Sequence, residues 1–513
     1  MWRIVGPVLE VAVLSGIILV TRCANYSDVF VGGRVYFVDA DCYARMTRVR
    51  MVVAEPGLVV RHHAFENFPA GTDPHTTAPL DYLIAGLTVA LSSVTAQPLE
   101  LAGAMISPLL ALAAGWFLWW WTRRFAWPGR YGALLVYALS AILVHSTAVG
   151  RPDQQALLVP LLLIALGAEW RLQEGPSRPW SIVSGASWAV ALWVSLYEPL
   201  VLFLATMLGV LISSRGRLIE RERRIGWTIF FAILVLAAVV ERRWPEPPPV
   251  QPFFANWSAT IGELRPVGLT NPIWLSWVSG LVLVSPLLLA LGLRRGVISP
   301  LFAGLLGLSF LLTLWEARWG YFFALIFVLT IPAQIGIVRQ KWLALGLLGF
   351  ALWPLLKFWD AQFWPDEESI VRRMIARREM AEWRAAVDSL GGKAPGAVLS
   401  PWWLAPATAY WSQRPVVGGS AHESLPGTVA TARFFLTTSP GEARAILERH
   451  RVHWVLAGEG RRVAQNSAAL LRRAAPPKAL CWILDREPSR APAFLALRAQ
   501  NGACKVYEFR DSK

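Results

Sequence analysis

Long apolar runs separated by short polar breaks dominate the chain. They approach membrane-spanning length at about 4–21, 100–121, 131–149, 154–170, 180–196, 198–214, 225–241, 273–293, 297–315, 319–338 and 341–358, which predicts about 11 transmembrane helices. A further apolar stretch, Leu80–Val94, decides the orientation of everything after it. With that stretch left outside as an interfacial helix, Arg123, Arg124 and Arg130, Arg171 and Arg178, Arg215 to Arg224, Arg294 and Arg295, and Arg339 and Lys341 all become cytoplasmic, as basic loops should. Counting it as a span would export nearly all of them. Arg242 and Arg243 run against this threading, in a long Pro-rich loop. The first run follows Arg3 and reads as a retained span, because no small-residue cleavage site stands out before Asn25.

This threading puts the N-terminus in the cytoplasm. The external face receives residues from about 22 to 99, the turn Gly150–Asp153, a loop from about 242 to 272, the turn Glu316–Arg318 and everything after about 359. The polar remainder, 359–513, alternates amphipathic helix (Glu368–Leu390) with short apolar strands at Ala397–Ser400, Val416–Val417 and His453–Leu456. It predicts a separate extracytoplasmic α/β domain after a polytopic α-helical membrane domain, 1–358. No internal repeat is evident.

Composition agrees with the threading. The sequence is 55% hydrophobic, has only 16% charged residues and carries 27 Trp, too apolar for a soluble chain of 513 residues. Tryptophans at run ends, such as Trp119 to Trp121, read as an interfacial belt. The net charge of +15 lies largely in short loops such as RGRLIERERR, where anionic lipid head groups are the expected partners and nucleic acid is not. Of the four cysteines, Cys23, Cys42, Cys481 and Cys504, none belongs to a CxxC or a Cys/His zinc spacing. A Cys481–Cys504 disulfide and two free thiols both fit.

The threading also gathers carboxylates at one membrane face. VDADCYARMTRVR places Asp39 and Asp41 just before a helix carrying Arg45, Arg48 and Arg50; the pair fits an Asp N-cap as well as a ligand. HSTAVGRPDQQ sets Asp153 at the start of an apolar run, where an unpaired charge is costly and Arg151 is a ready partner. ANWSATIGELRP places Glu263 in the 242–272 loop. Together Asp41, Asp153 and Glu263 could hold Mn²⁺ or Mg²⁺ through oxygen ligands and leave room for a phosphate. Arg318, at an external run end, suits bidentate contact with that phosphate, or pairing with Glu316. His62, His63 and His75 fit no familiar metal spacing and read as solvated loop residues, His75 by its position near substrate.

At these residues the chain resembles the catalytic subunit of oligosaccharyltransferases, of the bacterial and archaeal single-subunit type, and more broadly the polyprenyl-phosphate-sugar-dependent GT-C glycosyltransferases. DADCYARMTRVR is similar to the family's first acidic motif, with Asp41 the closer match because Tyr43 and Arg45 follow it. FPAGTDPHTTAPLDYLIAGLTVAL resembles the rest of that loop and its amphipathic helix. GRPDQQALL resembles the second acidic motif, with Gln154 and Gln155 where members often carry His. Thr260-Ile261-Gly262-Glu263 fits the TIxE motif, and Arg318 stands where the family has an Arg facing the lipid-linked phosphate. SPWWLAPATAYWSQRPVVGGSAH resembles the WWD segment that reads the Ser or Thr of an acceptor sequon, but Leu404 replaces its Asp and cannot accept that hydrogen bond.

The resemblance covers most of the chain at low similarity, with about two fewer spans than typical members. It implies a GT-C fold in a bacterial or archaeal cell membrane and a metal-dependent transfer of a sugar or glycan from a polyprenyl mono- or diphosphate carrier to an acceptor on the extracytoplasmic face. Asp41, Asp153 and Glu263 would be catalytic and metal-binding, Arg318 phosphate-binding, and Trp402, Trp403 and His75 acceptor-binding. The protein or glycan acceptor and the oligomeric state stay open. The alternatives are a transferase using a polyprenyl monophosphate monosaccharide on lipid, cell-wall glycan or protein hydroxyls, and a flippase or transporter of lipid-linked sugars. A transporter would place charge near mid-bilayer on broken helices, and Glu198 between two runs is the nearest such residue.

Overall fold

The computed structural model describes residues 2–213, 218–243 and 252–510. Arg215 of the basic run and the Pro-rich centre of the 242–272 loop lie outside the described residues. The chain forms two compact units, one made of Met1–Val35, Thr76–Trp244 and Glu263–Asp366, the other of Tyr36–His75, Pro245–Gly262 and Glu367–Lys513.

The first unit is helical, the arrangement that satisfies every backbone amide inside lipid. Among the described residues, 6 helices are long and apolar enough to cross a membrane: Val5–Arg22, Pro98–Thr122, Gln154–Glu174, Arg221–Glu241, Ala317–Gly336 and Lys341–Phe363. The other predicted runs form shorter or broken helices. Tyr197–Ser213 and Pro300–Trp315 are continuous but short, as is Ala78–Leu91, the stretch held outside by the basic-loop argument. The 131–149 run breaks at Ser140 into Trp127–Leu139 and Ala141–Ser146, and Ser140 restarts the second helix by accepting the Leu143 N–H at 3.4 Å. The 273–293 run breaks at Ser279, whose φ of 110° no helix accommodates. A Cβ on the adjacent Gly280 would collide with the Phe350 carbonyl. Hydropathy alone reads straight through both breaks.

One buried ion pair ties two of the long helices. Arg223, a member of the predicted basic loop, turns inward and places its NH2 nitrogen 2.9 and 2.8 Å from the two oxygens of Glu169, a residue with no solvent exposure that Ser184 also contacts. Removing one partner strands the other charge, so Glu169→Leu should destabilise the protein by ~3 kcal/mol or more, while Glu169→Leu with Arg223→Met recovers most of the loss. Thermal unfolding in detergent checks this; equal losses in the single and double variants would contradict it.

The second unit is an α/β layer. Its four-stranded sheet runs in the order Ala397–Leu399, Val452–Ala457, Cys504–Phe509, Leu495–Asn501, with the first pair parallel and the rest antiparallel. Both faces are covered, as the alternation along Val452–Ala457 demonstrates: Trp454 and Leu456 pack with Trp383, Val398 and Val506, while Val455 and Ala457 pack with Leu399, Phe434 and Tyr507. The pattern in the sequence marks the strands at 397 and 452 but not the hairpin 495–509, whose first strand, LALRAQN, is half polar. Val416 makes an isolated bridge to Val398 rather than a strand of its own.

This unit is larger than the C-terminal region 359–513. Its C-terminal part starts at Glu367, and it also takes in the helix Ala40–Ala54 and the loop after it. Val416 receives the Phe68 N–H on its carbonyl at 3.1 Å and donates its own N–H to Phe65 at 2.9 Å. Arg45 and Arg48 are buried, and their helix belongs to this folded unit. All four cysteines carry free thiols, Cys481 and Cys504 buried.

Candidate functional site

In the first unit the charged residues sit at helix ends. Asp153 caps the helix Gln154–Glu174, its Oδ1 accepting the Gln154 N–H at 2.7 Å. The turn before it is pinned: Gly150 has φ 76°, its N–H donates to the Ala104 carbonyl at 2.9 Å, and a Cβ there would meet the Val29 side chain at 2.6 Å. Glycine is therefore required at 150 for both conformation and space. Ser107 holds the Arg151 carbonyl from the other side.

Arg151 is the hub. Its NH2 nitrogen lies 3.1 Å from Oε1 of Glu263 and 3.9 Å from Oδ2 of Asp153, so two carboxylates distant in sequence share one nitrogen. The pairing expected between Arg151 and Asp153 exists, but Glu263 is the nearer partner. The other terminal nitrogen is 3.0 Å from Nε2 of His145, whose Nδ1 is 2.8 Å from the Tyr321 hydroxyl, and that hydroxyl donates to Glu263 Oε1 at 3.0 Å. The ring closes with one consistent set of protons: Nε2 of His145 accepts from Arg151, Nδ1–H donates to Tyr321, and Tyr321 donates to Glu263. Both hydrogen bonds to Glu263 among the described residues use Oε1. Burial pushes the Glu263 carboxyl above its ordinary value, the Arg151 charge pulls it back, and the Asp153 charge pushes it up again.

Gln155 sets its amide end against the Asp153 carboxylate. Its amide nitrogen donates to both Asp153 oxygens, the orientation that satisfies both groups.

Arg318 pairs with Glu198 through Nε, 3.0 Å from Oε1, and not with Glu316 as the sequence allows. Ser195 supports the other Glu198 oxygen at 3.1 Å. Glu198 opens the helix Tyr197–Ser213 and is buried at that helix end, partnering an arginine rather than standing alone. The segment after Glu263 is tied to the turn before Arg318 by the Ala317 N–H donating to the Arg265 carbonyl at 2.8 Å.

The remaining sequence candidates belong to the second unit. Asp39, not Asp41, caps the helix Ala40–Ala54, accepting the Cys42 N–H at 3.0 Å; Asp41 lies in its first turn. Trp402 and Trp403 meet edge to face with ring centres 5.6 Å apart, and both indole nitrogens are buried without a hydrogen-bond partner. Leu404 packs on the apolar cluster around Trp383 and Val398. His75 contacts Glu423.

His145, Tyr321 and Glu198 as a partner of Arg318 were not picked out from the sequence. The first two lie inside apolar runs, and the only available signal was a polar side chain near a run end.

No family model matches the chain, and no curated protein matches it. Solved structures do. The Archaeoglobus fulgidus oligosaccharyltransferase tethered to an acceptor peptide containing the NVT sequon superposes with a TM-score of 0.69 at 13% identity, over 98% of this chain and 74% of that one. The same enzyme in complex with Zn and sulfate gives 0.61 at 14% identity, over 97% and 73%. ArnT from Cupriavidus metallidurans bound to undecaprenyl phosphate gives 0.63 at 12% identity, over 98% of both chains. The chain thus has the oligosaccharyltransferase-like GT-C fold, and with its long apolar helices it is an integral membrane protein.

Proposed function

We propose that this protein is a membrane glycosyltransferase that takes a sugar or glycan from a polyprenyl phosphate or diphosphate carrier and passes it to an acceptor on the extracytoplasmic side. The observation that carries this reading is the convergence of Asp153 and Glu263 on Arg151 at helix ends of a GT-C fold, with a second arginine, Arg318, also held at a helix end. A carrier phosphate needs such cationic, hydrogen-bonding surroundings at the membrane boundary.

Asp153 and Glu263 fit a hard divalent ion such as Mn²⁺ or Mg²⁺: both are carboxylate oxygen donors, and both approach the same Arg151 nitrogen. Asp41 is proposed as a further ligand on its sequence context alone. When bound, the ion would stabilise the negative charge that develops on the departing phosphate. Arg318, ion-paired with Glu198 on its Nε side, would use its two terminal nitrogens to grip the phosphate in a bidentate fork. Glu263, ionised, is positioned by Arg151 and Tyr321 to orient the acceptor or take its proton directly.

A polyprenyl-monophosphate monosaccharide transferase is the second reading. Leu404, packed in an apolar core where the sequon-reading motif needs an Asp, and the full-length superposition on the undecaprenyl-phosphate-bound ArnT both favour it. Offering the purified protein matched mono- and diphosphate-linked sugars tests both: turnover of diphosphate donors alone eliminates the monophosphate reading, and release of sugar from neither donor under any metal condition sinks the transferase proposal.

The raised pKa of Glu263 gives a pH prediction. Its ionised form is the working one, so turnover falls as pH drops through the raised value, placing the acid limb above the usual glutamate value of 4.5. Arg151 stabilises the ionised form; Arg151→Gln removes that pull, raises the pKa further and moves the acid limb to higher pH. A pH–rate profile in which the limb stays fixed or moves lower contradicts this assignment.

A further inference from the structure

A cluster with different ligand chemistry lies entirely within the second unit. His75 closes the segment Tyr36–His75, and His422 and Glu423 share the 3-10 turn His422–Ser424. One ligand atom from each of the three lies within 4.8 Å of the others. The histidine and its acidic partner are 348 residues apart in sequence, so only the fold unites them.

The contacts satisfy one Glu423 oxygen and not the other. Glu423 Oε1 accepts both the backbone N–H and the ring Nδ1 of His75, at 2.6 Å each. Its Oε2 is buried without a hydrogen-bond partner, and Nδ1 of His422 stands 3.5 Å away, too far for a good bond. A buried carboxylate oxygen left in that condition is costly unless a cation completes its surroundings. The two imidazole rings face each other at 5.2 Å and 34°, and the rings of Phe254 and Trp257 flank His422 at 6.3 and 6.4 Å. The His75 side chain is 47% exposed, which leaves one side of the cluster open to water.

We propose that His75, His422 and Glu423 form a transition-metal site, with Zn²⁺ the ion that fits, which clasps the end of the first external loop to the C-terminal segment of the same unit. Two imidazoles and one carboxylate make a three-ligand zinc set with a fourth position for water. Imidazole donors disfavour Mg²⁺, so this site and the all-oxygen set around Asp153 select different ions. At bond lengths of about 2.1 Å, tetrahedral ligands stand roughly 3.4 Å apart, so small side-chain rotations close the present spacing.

The test uses purified full-length protein stripped with a chelator and titrated with Zn²⁺ alone, and separately with Co²⁺ to read the visible spectrum of a low-coordinate site. The proposal expects one equivalent of Zn²⁺ to bind to the Asp153→Asn, Glu263→Gln double variant and to raise its melting temperature. It expects His75→Ala, a change at a half-exposed position, to weaken that binding at least ~10-fold, while melting in chelator stays that of the parent; Glu423→Gln should do the same. Absence of stoichiometric Zn²⁺ binding in the double variant, or unchanged Zn²⁺ affinity in His75→Ala, overturns it.

Discussion

Purified protein carrying Asp153→Asn and Glu263→Gln should retain its fold and lose turnover of polyprenyl-linked donor by ~10³-fold or more. Both substitutions keep side-chain shape. The Asn can still cap the helix Gln154–Glu174, and the Gln can still accept from Tyr321, so melting should barely move. What is lost is two negative charges that meet on one Arg151 nitrogen. Arg151 then carries an uncompensated charge where a cation would have to bind, and the oxygen set loses its anionic members. Kinetics and thermal unfolding measured on the same preparation separate the two effects. Unaltered turnover in the folded double variant would remove the catalytic assignment.

Arg318→Met should lower kcat/KM for the lipid-linked donor by about 10²- to 10³-fold, and Arg318→Lys should recover little of it. The side chain is held beside Glu198 by a 3.0 Å ion pair; an ammonium on a flexible stem satisfies Glu198 but cannot present two parallel donors. Glu198→Gln tests the positioning separately: it keeps Arg318 but loosens its aim, so the effect should be smaller and should appear in both KM and kcat. If Arg318→Lys were as active as the parent, Arg318 would be acting as a simple counter-ion to Glu198.

Much of this site is legible from the sequence, for identifiable reasons. Asp153 stands out because it is a carboxylate at the border of an apolar run, a placement that costs free energy unless something compensates it, and Glu263 because the threading puts it on the same face within a TIxE-like segment. Arg318 is visible for the same reason as Asp153. The compensation itself is not visible: Arg151 binds Glu263 more closely than its neighbour Asp153, and Arg318 finds Glu198 rather than Glu316, because helix packing chooses partners across more than a hundred residues. His145 and Tyr321 are hidden inside hydrophobic runs whose periodicity gives no sign that one face is polar. The helix breaks at Ser140 and Ser279 are invisible to hydropathy, since a backbone kink costs no apolar character.

In the second unit, Ala397–Leu399 and Val452–Ala457 announce themselves as apolar runs, whereas the Leu495–Asn501 edge strand, half polar, and Cys504–Phe509, whose apolar run is interrupted by Lys505 and Glu508, do not. The histidines of the first loop show no metal spacing because the other ligands of His75 come from the opposite end of the chain.

The most direct test of a metal-assisted transferase is the release of sugar from a polyprenyl-linked donor by chelator-treated protein in detergent, before and after Mn²⁺ is restored. The account predicts no release without the ion, release on its return, and none from the Asp153→Asn, Glu263→Gln variant at any Mn²⁺ concentration. Release that ignores both the chelator and the substitutions, or donor that binds and crosses a proteoliposome bilayer with its sugar intact, would contradict it.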